Sequence, residues 1–279
     1  MDSQSDGWRV HLLGASQIYE TLLCPETATG SGPFDHNENY ENRSPIKHFL
    51  VSLLAYLDVA GACSTGRETL VSGDYWETHG GGWEYKLGVP SISNSSLDMN
   101  GTLSHIRQSW SRLMSILVDI SAFAERKANG MSKSIQQNVF RDLESRLLAW
   151  RLNLPVCFEE SIDFQGTSPD EEQCYLVEAT AFVEAYEQAT IIYLHKIALA
   201  GRSRDERETL CIEAAVQRVL VLADKFCTGI AQLGMPWALF IAGTEIVSEA
   251  RRDFVREKFI DMRRFGMKVI LSSILTDPF

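Results

Sequence analysis

Residues 168–201 read SPDEEQCYLVEATAFVEAYEQATIIYLHKIALAG, and this stretch decides the fold class. Ser168 suits an N-cap, Pro169 a first helical position where its missing N–H costs nothing, and Glu171 supplies an acidic residue three places after the cap. The run Asp170-Glu171-Glu172 then meets the positive end of the helix dipole, which is worth about 0.3–1 kcal/mol per charge. Tyr175, Ala179, Phe182, Tyr186, Ala189, Tyr193 and Ile197 step by three or four until Gly201, whose missing Cβ suits a helix C-terminus. A long helix with one apolar face is therefore predicted here, and no strand alternation interrupts it.

The same grammar extends outward. Towards the C-terminus, Ser203 with Glu206 has capping-box spacing, and Ile212, Val216, Val219, Ala223 and Phe226 line the face of a further helix. Pro236 opens a short, almost wholly apolar helix through Trp237, Phe240 and Ile241, whose lack of a polar side implies deep burial. From Ser248 on, Val255, Phe259, Met262 and Val269 mark one more, its charge carried by Arg251, Arg252, Arg256, Lys258, Arg263 and Arg264. That basic run is expected to be a solvated helix face, the commoner meaning of such charges.

Towards the N-terminus, Ser134 with Gln137 introduces Val139, Leu143, Leu147 and Trp150, and Leu103, Ile106, Trp110, Leu113, Leu117 and Ile120 form the stripe before it. Between about 64 and 101 the pattern dissolves around Gly80-Gly81-Gly82 and Pro90, and one long irregular loop is expected. Ser44-Pro45 starts a helix carrying Phe49, Leu53, Tyr56, Leu57 and Ala60, and Trp8, Leu12, Ala15, Ile18 and Leu22 mark the first. The chain is thus predicted to be all-α, antiparallel packed helices forming a single domain over residues 1–279 with that one irregular loop.

Composition narrows the function. Lys and Arg number 26 against 37 Asp and Glu, a formal net charge of −11, and a surface that negative repels phosphate backbones. The opening residues, with Asp2 and Asp6, lack the basic and apolar regions of a secretory signal. No apolar run reaches the roughly 18 residues of a membrane span, so no membrane partner is expected. Cys24, Cys63, Cys157, Cys174, Cys211 and Cys227 contain no C-x-x-C knuckle. They read as small buried hydrophobes, and neither metal nor cofactor is expected in this chain.

Tests for catalysis find no constellation. There is no H-E-x-x-H, no Glu-x-x-His pair, no Walker lysine motif and no G-x-G-x-x-G. His79-Gly80-Gly81-Gly82-Trp83 has the composition of an oxyanion-hole loop, but the G-x-S-x-G nucleophile it would serve is missing. A helical enzyme would need a polar cleft of convergent titratable groups, and the sequence offers no catalytic residue for one.

The segment Met235-Pro236-Trp237-Ala238-Leu239-Phe240-Ile241-Ala242-Gly243-Thr244-Glu245 closely resembles the Trp-x-Leu-Phe-x-Ala-Gly-x-Glu signature of fungal-specific transcription-factor domains. Other stations follow in that family's order. Trp8, His11-Leu12 and Gly14-Ala15 resemble its Trp-x-x-His-Leu-x-Gly-Ala element, and Tyr56 and Asp58 are similar to a following helix. Leu143, Leu147 and Trp150 resemble its Leu-x-x-x-Leu-x-x-Trp helix. Ala185-Tyr186, Ala189, Ile192 and Tyr193-Leu194-His195 resemble its Ala-Tyr-x-x-Ala-x-x-x-Tyr-Leu helix.

The resemblance implies the C-terminal regulatory region of a zinc-cluster transcription factor, controlling RNA polymerase II transcription from the nucleus through protein partners, as a homo- or heterodimer. It also implies a hydrophobic small-molecule effector in some relatives, for which Trp237, Phe240, Gly243 and Glu245 are the candidate pocket or core residues here. DNA would be reached only through an N-terminal six-cysteine, two-zinc module that this sequence lacks, and any zinc would belong to that module. Three readings stay open at this stage: a factor shortened at Met1, a headless regulator that works through heterodimers with complete factors, or a helical small-molecule-binding protein or enzyme.

Overall fold

Pro45 opens the first of eight helices among the described residues of the computed structural model, which are 45–79, 97–158, 171–226 and 235–262, together with Gly14. The helices are α1 (Pro45–Thr65), α2 (Gly73–His79), α3 (Leu97–Ala128), α4 (Lys133–Leu152), α5 (Glu171–Leu199), α6 (Glu206–Phe226), α7 (Pro236–Gly243) and α8 (Glu249–Met262). No strand occurs among the described residues, so the fold is all-α as the periodicity predicts. The predicted first helix, Trp8 to Leu22, lies outside the described residues apart from Gly14, as do the start signal Ser168-Pro169-Asp170, Gly80-Gly81-Gly82 with Pro90, and Arg263, Arg264 and Val269. The chain divides into two compact units, one of residues 1–96 with 114–129 and the other of 97–113 with 130–279.

In the first unit α1 buries Ala55, Asp58, Val59, Ala62 and Cys63, while Leu53 and Leu57 of the expected apolar line are 40% and 37% exposed. The stretch expected to be irregular from about 64 to 101 contains a helix, α2, and α3 already begins at Leu97. Two features set α2 in place. The Asp58 side chain, itself buried, accepts hydrogen bonds at 2.8 Å from the backbone N–H groups of both Leu70 and Val71, so the turn into α2 is held by α1. A Cβ on Gly73 would stand 3.2 Å from Ser115 Oγ, so a residue without a side chain lets α2 approach the second half of α3 closely. Tyr75 and Trp76 then fill the core with Phe123, Ile120 and Leu117, and Ser115 Oγ donates to Glu77 Oε1 at 3.0 Å.

Removing the Asp58 carboxylate leaves two backbone donors without their acceptor. Asp58→Ala is expected to lower unfolding stability by about 2–3 kcal/mol, the range for hydrogen bonds to a charged group. Urea denaturation checks this, with the exposed Glu68→Ala expected to change little; an Asp58→Ala loss no larger than that control would remove this role.

In the second unit α5 is the central helix. It packs against α4, α6 and α7, α6 also meets α7, and α8 meets α7. The sequence predicts one apolar face for α5, yet from Ala179 to His195 it is buried on nearly all sides. Four of its buried polar residues find partners within the fold, which permits this burial. Thr180 and Thr190 donate back to the carbonyls of Leu176 and Tyr186, and the carboxylates of Glu184 and Glu187 are ion-paired. Gly201, at φ +87°, ends the helix in the left-handed region.

Helix starts are shifted from those predicted. The reciprocal cap of α6 is Asp205 with Glu208, since Glu208 N–H donates to Asp205 Oδ1 at 2.8 Å and Asp205 N–H to Glu208 Oε2 at 3.0 Å, in place of Ser203 with Glu206. Likewise α4 has Ser132 at its N-cap, two residues before Ser134, and that serine makes no side-chain cap bond. Pro236 does occupy the first turn of α7.

Candidate functional site

The signature segment 235–245 is built into the core of the second unit. Helix α7 buries Trp237, Ala238, Leu239, Ile241, Ala242 and Gly243, which explains why it has no polar face. Small residues on α5, Ala185 and Ala189 among them, leave room for the large rings. The Trp237 ring lies 5.1 Å from Tyr186 and 6.4 Å from Tyr193, the second edge-on. Tyr186 in turn packs edge-on against Trp110 of α3 at 4.6 Å and beside Phe182 at 4.9 Å. One aromatic chain thus ties α3, α5 and α7 together, and edge-to-face pairs of this kind add about 0.5–1.5 kcal/mol each beyond area burial.

Two further stations lie in the same unit, while Tyr56 and Asp58 belong to the first unit and Trp8, His11-Leu12 and Ala15 lie outside the described residues. Trp150 of α4 is buried, and its indole N–H donates to the Ser109 carbonyl at 2.8 Å, while Leu143 and Leu147 pack inward beside it. Of the four candidate residues, Trp237 and Gly243 are buried and Phe240 is half-buried. Glu245 does something else. Its carboxylate pairs with Arg204 at 2.6 Å and with Lys196 at 3.7 Å, fastening the end of the signature to α5 and to the α5–α6 turn. The Trp237 indole N–H is buried and has no hydrogen-bond acceptor among the described residues.

Two titratable groups that the sequence does not single out lie in this core. Glu184 receives two hydrogen bonds from Arg218 of α6, at 2.7 and 2.9 Å. Glu187 receives one of 2.7 Å from Arg151 in the last turn of α4. Burial pushes the Glu187 carboxyl up to about 7; Arg151 opposes the rise and the neighbouring Glu184 charge adds to it. His195 is held below the ordinary imidazole value by burial, against the pull of Glu144, whose Oε1 is 3.9 Å from its Nε2. Its ring stands edge-on to Phe140, at 5.4 Å.

The raised Glu187 carboxyl has a definite consequence for stability. A folded value of about 7 above the ordinary 4.5 means that the fold holds this proton more tightly than the unfolded chain does. The stabilisation is complete below the unfolded value and is lost as pH rises through about 7, by about 3 kcal/mol if the whole shift is expressed. Glu187→Gln is expected to flatten that dependence. Denaturation midpoints followed across the window check it, and parallel slopes for wild type and variant would refute it.

Among the described residues no group of three or more His, Cys, Asp or Glu side chains is placed to hold a metal ion. Cys63 is buried as expected, but Cys211 is exposed, because its position on α6 turns away from α5. The basic run of α8 is engaged within the chain: Arg251 with Glu213, Arg256 with Glu249 and Asp253, and Arg252 with the Ile246 carbonyl. Among the described residues no helix is long and apolar enough to cross a membrane.

The geometry is that of a structural motif: aromatic anchors, small residues and buried ion pairs, assembled from stations spread along the chain. Neither a curated protein nor a solved structure matches it. The family model described as fungal specific transcription factor domain matches residues 1–276. That match runs through the same signature that folds into the core at Trp237, and the chain belongs to the fungal specific transcription factor domain family.

Proposed function

We propose that this chain is the regulatory region of a zinc-cluster transcription factor, acting in the nucleus on RNA polymerase II transcription through protein contacts, as a homo- or heterodimer. The observation that carries this reading is the family match over residues 1–276. Family membership also supports a regulator rather than a catalyst, and in this chain the signature residues serve packing around Trp237. The net charge of −11 supports assigning DNA contact to a separate basic module.

A hydrophobic effector is a second element of the proposal, and one observation favours it. The buried Trp237 N–H lacks an acceptor among the described residues, and a polar atom on an otherwise apolar ligand would satisfy it beside Phe240 and Gly243. Leaving such a donor unsatisfied costs about 1–3 kcal/mol.

The experiment is to sequence the 5′ end of the native transcript and read the frame upstream of Met1. An in-frame basic six-cysteine module is the expected result. A transcript start at Met1 with no such module would overturn direct DNA recognition and make the chain a partner-dependent regulator.

A further inference from the structure

Glu184 and Glu187 stand one helical turn apart in the part of α5 that is buried on nearly all sides, and each is held by an arginine from a different helix. The two grips are unequal. Arg218 closes on both oxygens of Glu184, whereas Arg151 reaches only Oε2 of Glu187. The Arg151 side chain is 37% exposed while that of Glu187 is 5% exposed, so one partner borders water and the other does not. Arg151 belongs to the last turn of α4, whose other tie to the core is the Trp150 indole on the Ser109 carbonyl.

We propose that the Glu187–Arg151 pair is a proton-operated latch, holding the last turn of α4 against α5 while Glu187 is ionised and releasing it when Glu187 takes up a proton. The asymmetry of burial sets the direction. A neutral carboxyl is better suited to the interior than a carboxylate, so Glu187 stays where it is after protonation. Arg151 loses the charge-assisted half of its bond, and its guanidinium can turn to water with little desolvation to reverse.

The surroundings leave the proton to Glu187. Arg151 is the charge facing it from α4, and Glu184 the charge beside it on α5, with the neutral Gln188 hydrogen-bonded to it. Arg218 of α6 is committed to Glu184. Helix α3 meets α5 at the uncharged Trp110, and α7 carries no titratable side chain. Burial places the group's midpoint close to neutrality, where a modest change in acidity moves its occupancy.

The latch predicts two effects of opposite sign. Acidification raises the stability of the whole fold, because Glu187 is no longer a buried anion, and at the same time loosens the end of α4. A general destabilisation would move both the same way.

Hydrogen exchange of the full chain, compared at about pH 8 and about pH 6 after correction for intrinsic rates, reads the local term directly. Peptides covering 144–154 are expected to exchange about tenfold faster at the lower pH, the loss of one charge-assisted bond, while those of α6 do not. Glu187→Gln should show the fast exchange at both pH values, and so should Arg151→Gln. Equal exchange of 144–154 at the two pH values in the wild type would overturn the latch, as would a Glu187→Gln variant that keeps the wild-type pH response. Should either variant fail to fold, carboxyl carbon NMR of the wild-type chain decides: a Glu187 midpoint near 7 is expected, and a midpoint in the ordinary glutamate range overturns the proposal.

Discussion

Trp237→Ala lowers the free energy of unfolding by about 3–5 kcal/mol, the range for removing a buried aromatic ring from a packed core. The residue is 4% exposed and its ring contacts both Tyr186 and Tyr193, so truncation opens a cavity where α5 and α7 meet. The neighbours cannot easily collapse into it, because Tyr186 is already wedged between Trp110 and Phe182. Trp237→Phe keeps the stacking and removes the buried N–H that has no acceptor among the described residues. It is expected to cost less than half as much as alanine. Urea denaturation measures both, and an alanine variant within about 1 kcal/mol of wild type would show that the signature tryptophan does not hold the core together.

Arg218→Met destabilises by a similar amount, about 3–5 kcal/mol, for a different reason. The substitution keeps most of the side chain's volume but strands Glu184, whose side chain is 6% exposed and whose two oxygens have lost both donors. The companion test is the double variant Arg218→Met with Glu184→Leu. Replacing a buried pair by apolar residues of similar size is often neutral, so most of the loss should return. A double variant no better than Arg218→Met alone would mean that the arginine acts through its packing and not through the carboxylate.

These two predictions mark the border between what the sequence shows and what it conceals. Trp237 was legible: an apolar run opened by Pro236, with small and aromatic residues and no polar face, has few places to go except the interior. Leu143, Leu147 and Trp150 were legible for the same reason, as was the all-α class, because helical periodicity persists along the chain. Glu184 and Glu187 were not. A glutamate between alanines and tyrosines reads as the solvent side of an amphipathic helix. Only the arrival of Arg218 from α6 and Arg151 from α4, 34 and 36 residues away, makes it an interior residue.

The missed helix α2 has a similar explanation at shorter range. Gly73–His79 is too brief to display a period, and its anchors are two adjacent aromatics, Tyr75 and Trp76, whose burial depends on Gly73 approaching Ser115. Asp58 was visible as a family station but not as what it does, since its partners are backbone N–H groups of a turn twelve and thirteen residues on. The capping boxes show the limit of spacing alone. Two acceptable start signals, Ser203 with Glu206 and Asp205 with Glu208, overlap in one turn, and the one also supported by Arg202 on Glu208 is the one that forms. For Glu245, the motif supplied the position and the ion pairs with Arg204 and Lys196 supply the role.

Regulation of transcription by this domain is read out by tethering. The chain would be fused to a heterologous DNA-binding module and its effect on a promoter carrying the cognate site measured in a fungal cell, beside the module alone and the Trp237→Ala fusion. The wild-type fusion is expected to raise or lower reporter output relative to the module alone, and Trp237→Ala to abolish the change. A wild-type fusion that is present at the same level and bound at the promoter, yet leaves the output at that of the module alone, would contradict it.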